Sequence, residues 1–234
     1  VIPTYDNPMT IERVVAGVQE HVHDVFVVDD AGGPEAQAAL ERLKSVAGVR
    51  VRHRAENGGK GAAVKDGLHA ALAEGFTHAL QVDADGQHAL EDAPRLLAAS
   101  RARPEALVLG RPVFDASAPK ARLWGRKVSV FWVWLETLGK PGKIADPLCG
   151  FRVYPLEAAV AAQARGDRMD FDPEIAVRMV WMGLPVVNVD TKVRYVPPEE
   201  GGISHYRAFR DNVLVSLIHA RLTIVRYLGL RRWL

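Results

Sequence analysis

The sequence predicts an α/β fold with a mostly parallel sheet flanked by helices. Short apolar runs that suit buried strands alternate with segments of helical periodicity through the first two-thirds of the chain. Three of these runs end in acidic or polar residues, as expected where ligands meet the carboxyl ends of parallel strands. With 234 residues, 48% hydrophobic and 25% charged, the chain has ample material for a buried core.

The elements of the first half follow one another at short intervals. Asn7 and Pro8 are typical of a helix N-cap with proline in the first helical position. The helix that follows has one apolar face, formed by Ile11, Val14, Val15 and Val18. We then expect a strand over 25–28, a polar helix over about 34–46, an edge strand over 49–53, a glycine-rich turn over 57–61 that leads into a helix, a strand over 79–82, a helix over about 90–101 and a strand over 107–109.

The second half is less regular. We expect a helix over about 121–138, a loop over 139–150, a strand over 151–154, two helices, a strand over 186–193, a loop over 197–202 and a final helix from about 206. No linker is long enough to force two separate domains, so we predict one domain over 1–205, followed by an amphipathic helix over 206–234.

Composition and charge exclude several classes of protein. A net charge of +2 is too small for wholesale nucleic-acid binding. The single cysteine, Cys149, excludes an intrachain disulfide framework and a multi-cysteine zinc site. No uncharged run approaches the roughly 18 to 20 residues of a spanning helix. We see no signal peptide and expect a cytosolic active site; because Val1 is not methionine, we also expect a piece of a longer protein.

The acidic strand ends suggest a site for a cation. Asp83 and Asp85 stand two positions apart in extended chain, so their side chains project to the same side. Such a pair can share a hard divalent cation that bridges phosphates. For a lone pair of this kind, a polar loop with helix-capping aspartates is the simpler explanation. The acidic ends of the other strands, at Asp6 and at 29–30, favour the cation site.

Six short motifs occur in one order along the chain: Pro3-Thr4-Tyr5, Val28-Asp29-Asp30, Asn57-x-Gly-Lys60-Gly61, Asp83-Ala84-Asp85-Gly86-Gln87, Gly110-Arg111 and Asp146-x-x-Cys-Gly150-Phe151-Arg152. Together they resemble glycosyltransferase family 2, the inverting enzymes of GT-A (Rossmann-like) fold that include the polyprenyl-phosphate glycosyltransferases. The resemblance covers about residues 1–205. Further motifs, at 119–126, 136–138, 149–155 and 169–175, resemble the branch associated with aryl-polyene and xanthomonadin-type pigment lipids.

The resemblance implies a nucleotide-binding half over 1–111 and an acceptor-side half over 112–205. It implies that these residues bind the nucleotide: Pro3, Tyr5, Asp6, Asp30, Lys60, Asp83 and Ala84. It implies Mg²⁺ or Mn²⁺ as cofactor, with Asp83, Asp85 and Gln87 as ligands. A divalent cation would stabilise the leaving diphosphate as a Lewis acid.

Catalysis and acceptor recognition leave alternatives open. Asp146 is the first candidate for a catalytic base, with Asp172 and Glu174 as alternatives; helix capping or ion pairing would explain all three. A phosphate acceptor is already largely ionised near neutral pH and needs no base. The candidate acceptor-binding residues are Lys120, Arg122, Arg126, Arg152 and His205. His205 stands where polyprenyl-phosphate enzymes commonly carry lysine, which weakens the case for that acceptor.

We therefore expect transfer of a sugar from a UDP- or GDP-linked donor to a lipid or lipid-linked acceptor. The expected location is the cytoplasmic face of a membrane, with a second copy of the chain as a candidate partner and no nucleic acid. A sugar-nucleotide nucleotidyltransferase is the alternative enzyme, although the chain lacks its glycine-rich, arginine-containing loop after the first strand. A non-catalytic glycan- or lipid-binding module is the alternative outside enzymes.

The final helix suggests contact with a membrane surface. Its polar positions recur every three or four residues and form one narrow stripe, and most of its remaining surface is apolar. The polar positions are Asn212, Ser216, His219, Thr223 and Arg226. Residues 203–234 also contain six arginines and one acid. This pattern suits a helix that lies at an anionic surface, and packing on the domain or on a second subunit is the alternative.

Overall fold

A computed structural model describes residues 1–114, 120–193 and 208–228, without the side chains of 120–124 and 208–212. The strands are β1 (Ile2–Thr4), β2 (Val25–Asp29), β3 (Val49–His53), β4 (His78–Gln81), β5 (Leu107–Phe114), β6 (Arg152–Pro155) and β7 (Val186–Val193). The helices are α1 (Ile11–Gln19), α2 (Pro34–Leu43), α3 (Lys60–Ala73), α4 (Ala93–Ala102), α5 (Lys120–Glu136), α6 (Leu156–Ala161), α7 (Phe171–Trp181) and α8 (Ala208–Leu228). A short 3₁₀ turn, Leu90–Asp92, precedes α4.

The strands form two sheets that meet at β1 and β4. In the first sheet, in the order β1-β2-β3, all strands are parallel. In the second, in the order β4-β6-β5-β7, β5 and β7 are parallel and β6 runs antiparallel to both of its neighbours. The amide of Val82 donates to the carbonyl of Val1 at 3.1 Å, which links the end of β4 to the start of β1. The predicted α/β fold is confirmed, with β6 as an antiparallel exception.

Helices cover both faces of these sheets and bury two apolar cores. Helices α1, α2 and α4 pack on one face, and α3 and α5 to α8 lie on the other. All five residues of β2 are buried, which agrees with the continuous apolar run expected of a strand covered on both sides. The face of α1 predicted to be apolar, Ile11, Val14, Val15 and Val18, is buried as expected.

Two predicted boundaries are wrong. Helix α1 begins at Ile11, because residues 8–10 form a turn and the side chain of Asn7 does not cap the helix. Instead, the Asn7 Oδ1 accepts from the amide of Tyr5, back toward the strand. Strand β5 extends to Phe114, five residues beyond the predicted end, because it pairs with β7 along its whole length. The predicted division between residues 111 and 112 therefore falls inside one strand.

The fold gathers three strand ends and two helix starts at one edge. The amide of Asp30 donates to the carbonyl of Thr4 at 2.9 Å, which ties the ends of β1 and β2 together. The amide of Ala62, in the first turn of α3, donates to the carbonyl of Asp167 at 2.9 Å, just before α7. The predicted site residues at the strand ends therefore meet the first turns of α3 and α7.

Candidate active site

The glycine-rich turn is held by Asp30. One carboxylate oxygen accepts from the amide of Gly58 at 2.9 Å and from Arg54 Nη1 at 2.7 Å, and the other accepts from the amide of Gly59 at 2.6 Å. Asp30 is 1% exposed. The structure thus gives its carboxylate a partner set inside the protein and does not bring it to the surface where a nucleoside would contact it. Asp30 shapes the turn, and Arg54 is a partner that the sequence did not reveal.

The turn also requires glycine where it passes the segment before α7. Gly59 has φ +106°, a conformation that residues with a side chain rarely adopt. A Cβ at this position would lie 2.6 Å from the carbonyl oxygen of Asp167 and 2.5 Å from the side chain of Arg168. The close approach places the start of α3, and with it Lys60, against the start of α7.

Lys60 joins two carboxylates from distant parts of the sequence. Its Nζ lies 2.8 Å from Asp83 Oδ1 and 2.8 Å from Asp172 Oδ2. Burial alone would lower the pKa of Lys60, but the carboxylates of Asp172 and Asp83 outweigh burial and raise it. Burial likewise favours a higher pKa for Asp83, and the ammonium of Lys60 reverses that effect and lowers it. The predicted nucleotide-binding lysine therefore contacts both Asp83 and one candidate base, Asp172.

Asp83 and Asp85 form the part of the site suited to a cation. Burial and the nearby charge of Asp83 both raise the pKa of Asp85, whose Oδ1 accepts from the amide of Gln87 at 3.0 Å. The Nε2 of His88 lies 3.4 Å from Asp83 Oδ2. A divalent cation would relieve the repulsion between these carboxylates, and their hard oxygens fit Mg²⁺ or Mn²⁺. Within the described ranges no group of three Asp, Glu, His or Cys side chains is arranged to hold a metal.

Gly150 closes this part of the site from β6. A Cβ on Gly150 would lie 2.4 Å from both carboxylate oxygens of Asp83, so the main chain before β6 lies directly against the acid. The short sequence between Asp146 and Arg152 therefore contributes a wall to the predicted cation site as well as a candidate base.

The residues expected to line the pocket for the nucleoside base differ in how deeply they are buried. Tyr5 is exposed by 37% and presents an aromatic surface beside the strand ends. Asp6 has φ +49°, and its Oδ1 accepts from the amide of Gly33 at 2.6 Å. Pro3 and Ala84 are buried, and the carbonyl of Ala84 accepts from Thr10 Oγ1 at 2.6 Å.

Asp146 is paired with a residue that was predicted to bind the acceptor. One carboxylate oxygen accepts from Arg126 Nη1 and the other from the amide of Leu148 at 2.8 Å. The guanidinium of Arg126 also lies 5.1 Å from the centre of the Phe114 ring. The structure thus brings the first candidate base and a candidate acceptor cation together. The side chains of Lys120 and Arg122, and the whole of His205, lie outside the described residues.

Two predicted site residues are buried and make their contacts inside the protein. Arg152 is fully buried and donates to the carbonyls of Cys149, Pro147 and Asp172 at 2.5, 2.5 and 2.7 Å. From there its guanidinium has no exposed surface toward an acceptor, so the structure does not bring it together with the other candidate acceptor residues. Its three bonds hold the segment after Asp146 against the start of α7.

Glu174, predicted as an alternative base, is likewise buried. It accepts from Arg178 Nε at 2.7 Å, from Arg221 Nη2, and from the amides of Arg165 and Gly166 at 3.1 and 2.7 Å. With both oxygens engaged inside the protein, the carboxylate has no access to a reacting group.

Comparison with known proteins identifies the family. The family model described as "Glycosyl transferase family 2" matches residues 1–159. The chain belongs to glycosyltransferase family 2. Over 168 residues it is 35% identical to a polyprenol monophosphomannose synthase of Mycolicibacterium smegmatis, covering 67% of this chain and 61% of that protein. Over 107 residues it is 38% identical to an undecaprenyl-phosphate mannosyltransferase of Micrococcus luteus, covering 43% of each. The matched segment thus spans less than two-thirds of the length of either relative.

Solved structures place this glycosyltransferase family 2 chain in the GT-A fold. A glucosyl-3-phosphoglycerate synthase of Mycobacterium tuberculosis in complex with phosphoglyceric acid superimposes with a TM-score of 0.66, covering 95% of this chain and 78% of that one at 16% identity. The same enzyme with Mn²⁺, UDP-glucose and phosphoglyceric acid gives a TM-score of 0.63 at 15% identity, covering 96% of this chain and 77% of that one. The narrower resemblance to aryl-polyene enzymes stays a prediction.

Proposed function

We propose that this glycosyltransferase moves a sugar, with inversion, from a nucleoside-diphosphate donor to a polyprenyl phosphate or a related lipid-linked acceptor, with Mg²⁺ or Mn²⁺ as cofactor. The observation that carries the proposal is the cluster of Lys60, Asp83, Asp85 and Asp172 at the edge where β1, β2 and β4 end. The cluster combines the ammonium group of Lys60, which would contact phosphate, with carboxylates that would bind the metal ion. The named activities of the two relatives support the acceptor class.

Different residues of the chain would bind the donor and the acceptor. When bound, the divalent cation would neutralise charge on the leaving diphosphate, and Asp83, Asp85 and Gln87 would be its protein ligands. Tyr5 and Asp6 would line the pocket for the base. Lys60 already lies between two carboxylates, from where its ammonium would also reach a phosphate oxygen. Asp146 is our candidate base for a hydroxyl acceptor, and Arg126 is our candidate contact for an acceptor phosphate.

Thermal-shift measurements would identify the donor without knowledge of the acceptor. We would screen UDP, GDP and their sugar conjugates with and without Mn²⁺ or Mg²⁺. A ligand present at 100 times its Kd should add about 2.7 kcal/mol to the free energy of unfolding. The proposal is contradicted if no sugar nucleotide stabilises the protein with metal present.

The variant Asp85→Asn tests the cation site within the same screen. We expect it to fold and to lose metal-dependent nucleotide stabilisation, with transfer reduced at least about a hundredfold, because a charged oxygen ligand is gone. Glu105→Gln, at an exposed carboxylate outside the site, is the matched control and should behave as wild type. Unchanged Mn²⁺-dependent affinity in folded Asp85→Asn would remove Asp85 from the site.

Transfer assays then decide the acceptor. Labelled donor would be offered to a polyprenyl phosphate and to the corresponding polyprenol in detergent. We expect product with the phosphate only. Product with the polyprenol alone would favour a hydroxyl acceptor and a required base, and would contradict the phosphate-acceptor proposal. The peripheral location at the cytoplasmic face of a membrane is part of the same proposal, since a lipid-linked acceptor resides in the bilayer.

A further inference from the structure

Helix α8 is apolar on two opposite faces, of which only one is covered. Its buried side chains, Val215, Ile218, Leu222 and Val225, pack toward the domain. A second row, at intervals of four, seven and four residues, is exposed and consists of Val213, Leu217, Ile224 and Leu228. Leu217 and Leu228 are exposed by 61% and 68%. A helix that lay between the domain and water would carry polar residues on that second face.

The polar stripe of α8 lies against α5. His219 Nδ1 lies 2.9 Å from Glu136 Oε1, and both side chains are buried. Arg226 Nη2 donates to the carbonyl of Leu138 at 2.9 Å. The polar stripe thus includes side chains that bond α5 and the turn after it, and apolar side chains lie on the exposed face.

Helix α5 continues the exposed apolar face. Phe131, Trp134 and Leu138 follow one another at intervals of three and four residues, are about half exposed, and form one stripe with the exposed Lys127 at its start. Tyr227 of α8 donates its hydroxyl to the carbonyl of Leu135 at 2.8 Å, between Trp134 and Leu138 in the sequence, so the two stripes adjoin. We call Phe131, Trp134, Leu138, Leu217, Ile224 and Leu228 the α5–α8 surface.

The part of the sequence that contains the α5 side of this surface is positively charged. Residues 120–143 contain six lysines and arginines and one acid, Glu136, which is buried. Lys127 and Lys143 are exposed. Two copies of the chain that met face to face through a two-fold axis would bring these like charges together, which costs free energy. An anionic lipid surface complements both the apolar stripe and its positive rim.

We propose that the α5–α8 surface docks on an anionic lipid bilayer. Among the described residues no helix is long and apolar enough to cross a membrane. Helix α5 carries both Phe131, on the docking surface, and Arg126, which contacts Asp146. Docking through α5 would therefore set the candidate acceptor-side residues at the lipid boundary. The proposal extends the lipid-acceptor class of the proposed function, but vesicle binding is measured without donor or metal and does not depend on it.

The experiment is vesicle flotation of the full chain. Vesicles of phosphatidylcholine with phosphatidylglycerol are compared with phosphatidylcholine alone at low and high salt. We expect binding to the anionic vesicles that weakens with salt. Trp134→Ser/Leu217→Ser should weaken it at least about tenfold, because two large apolar side chains no longer leave water. Lys127→Glu/Lys143→Glu should weaken binding to anionic vesicles by a similar factor.

The matched control is Met9→Ser/Val46→Ser, which removes exposed apolar side chains elsewhere and should bind as wild type. The thermal midpoint of each variant shows that it is folded. Absence of wild-type binding to anionic vesicles, or equal losses in the control and in Trp134→Ser/Leu217→Ser, would overturn the proposal. So would a concentration-dependent dimer, seen by sedimentation, that Trp134→Ser/Leu217→Ser dissociates without any effect on vesicle binding. If the wild-type chain binds anionic vesicles but transfers no sugar, that result would contradict only the proposed function.

Discussion

The first turn of α7 carries two carboxylates that belong to different regions of the molecule. Asp172 faces the strand ends, where Lys60 Nζ lies 2.8 Å away. Glu174, two positions later, faces the core between α7 and α8, where Arg178 and Arg221 donate to it. Residues two apart in a helix do not share a face, so the helix sends one acid to each region. The same chemical group thus serves a reaction site in one region and the packing of helices in the other.

This comparison shows that the role of each acid depends on the groups that contact it rather than on its residue type. At the strand ends the acids Asp83 and Asp85 repel each other and meet one lysine, which leaves them suited to a cation. Under the helices Glu174 is saturated by two arginines and two amides, and Glu136 meets His219. Substitutions in the two regions should therefore change different quantities.

The largest effect is expected from Asp146→Asn, on the reaction side. With a hydroxyl acceptor, for which Asp146 would be the base, transfer should fall by about 10² to 10⁴ while donor binding is kept, because asparagine preserves the shape and cannot accept the proton. A phosphate acceptor needs no base, so transfer to it should fall less. Single-turnover rates and nucleotide thermal shifts measure the two quantities. Equal losses of donor binding and rate would assign Asp146 to structure, together with Arg126. Glu105→Gln, at an exposed carboxylate outside the site, is again the control.

A smaller effect is expected from Glu174→Gln, on the packing side. The free energy of unfolding should fall by about 3 kcal/mol, because the substitution leaves the buried guanidinium of Arg178 without its carboxylate. The transfer rate per folded molecule should stay within about threefold of wild type, as for a group that does not touch substrate. Urea unfolding measures the first quantity. Arg221→Gln, which removes the more exposed of the two arginines, should cost less.

The smallest effect is expected from Glu136→Gln and concerns pH. Burial raises the pKa of Glu136 above its ordinary value near 4.5, although His219 opposes the shift. The folded protein therefore holds this proton more tightly than the unfolded chain, and the stability that Glu136 contributes falls as pH rises above about 4.5. The difference in unfolding free energy between wild type and Glu136→Gln should decrease with pH, by at most about 1.4 kcal/mol per pH unit. Parallel pH profiles in urea unfolding would contradict the assignment.

The sequence predicted the strand ends and the glycine-rich turn of the candidate site because their signals are local. The run over 25–28, the glycines near Lys60 and the acids that follow β4 each lie within a few residues of one another, and parallel strands carry their ends to one edge. The direction of β6 was not predictable in this way, since a four-residue strand pairs with partners far along the chain.

The acceptor side was harder because its roles depend on tertiary contacts. Nothing in the sequence distinguishes Asp172 from Glu174 as a base, since what packs on each face of α7 decides it. The pairing of Arg126 with Asp146 joins residues twenty apart. The sequence defines the polar stripe of α8, but only the packing shows that two of its members, His219 and Arg226, bond Glu136 and Leu138.

The central position of β6 also bears on the order in which the chain acquires its structure. The sheet of β1, β2 and β3 closes through neighbours that lie within the first 53 residues, and it can form as soon as they are available. The second sheet must bring residues 152–155 between β4 and β5, and its outer strand, β7, comes later still. Contacts over such separations are slow to form. During synthesis from the N-terminus we therefore expect an interval in which the donor-side strands are paired while β4 and β5 await their partner, with apolar edges exposed to chaperones and to self-association.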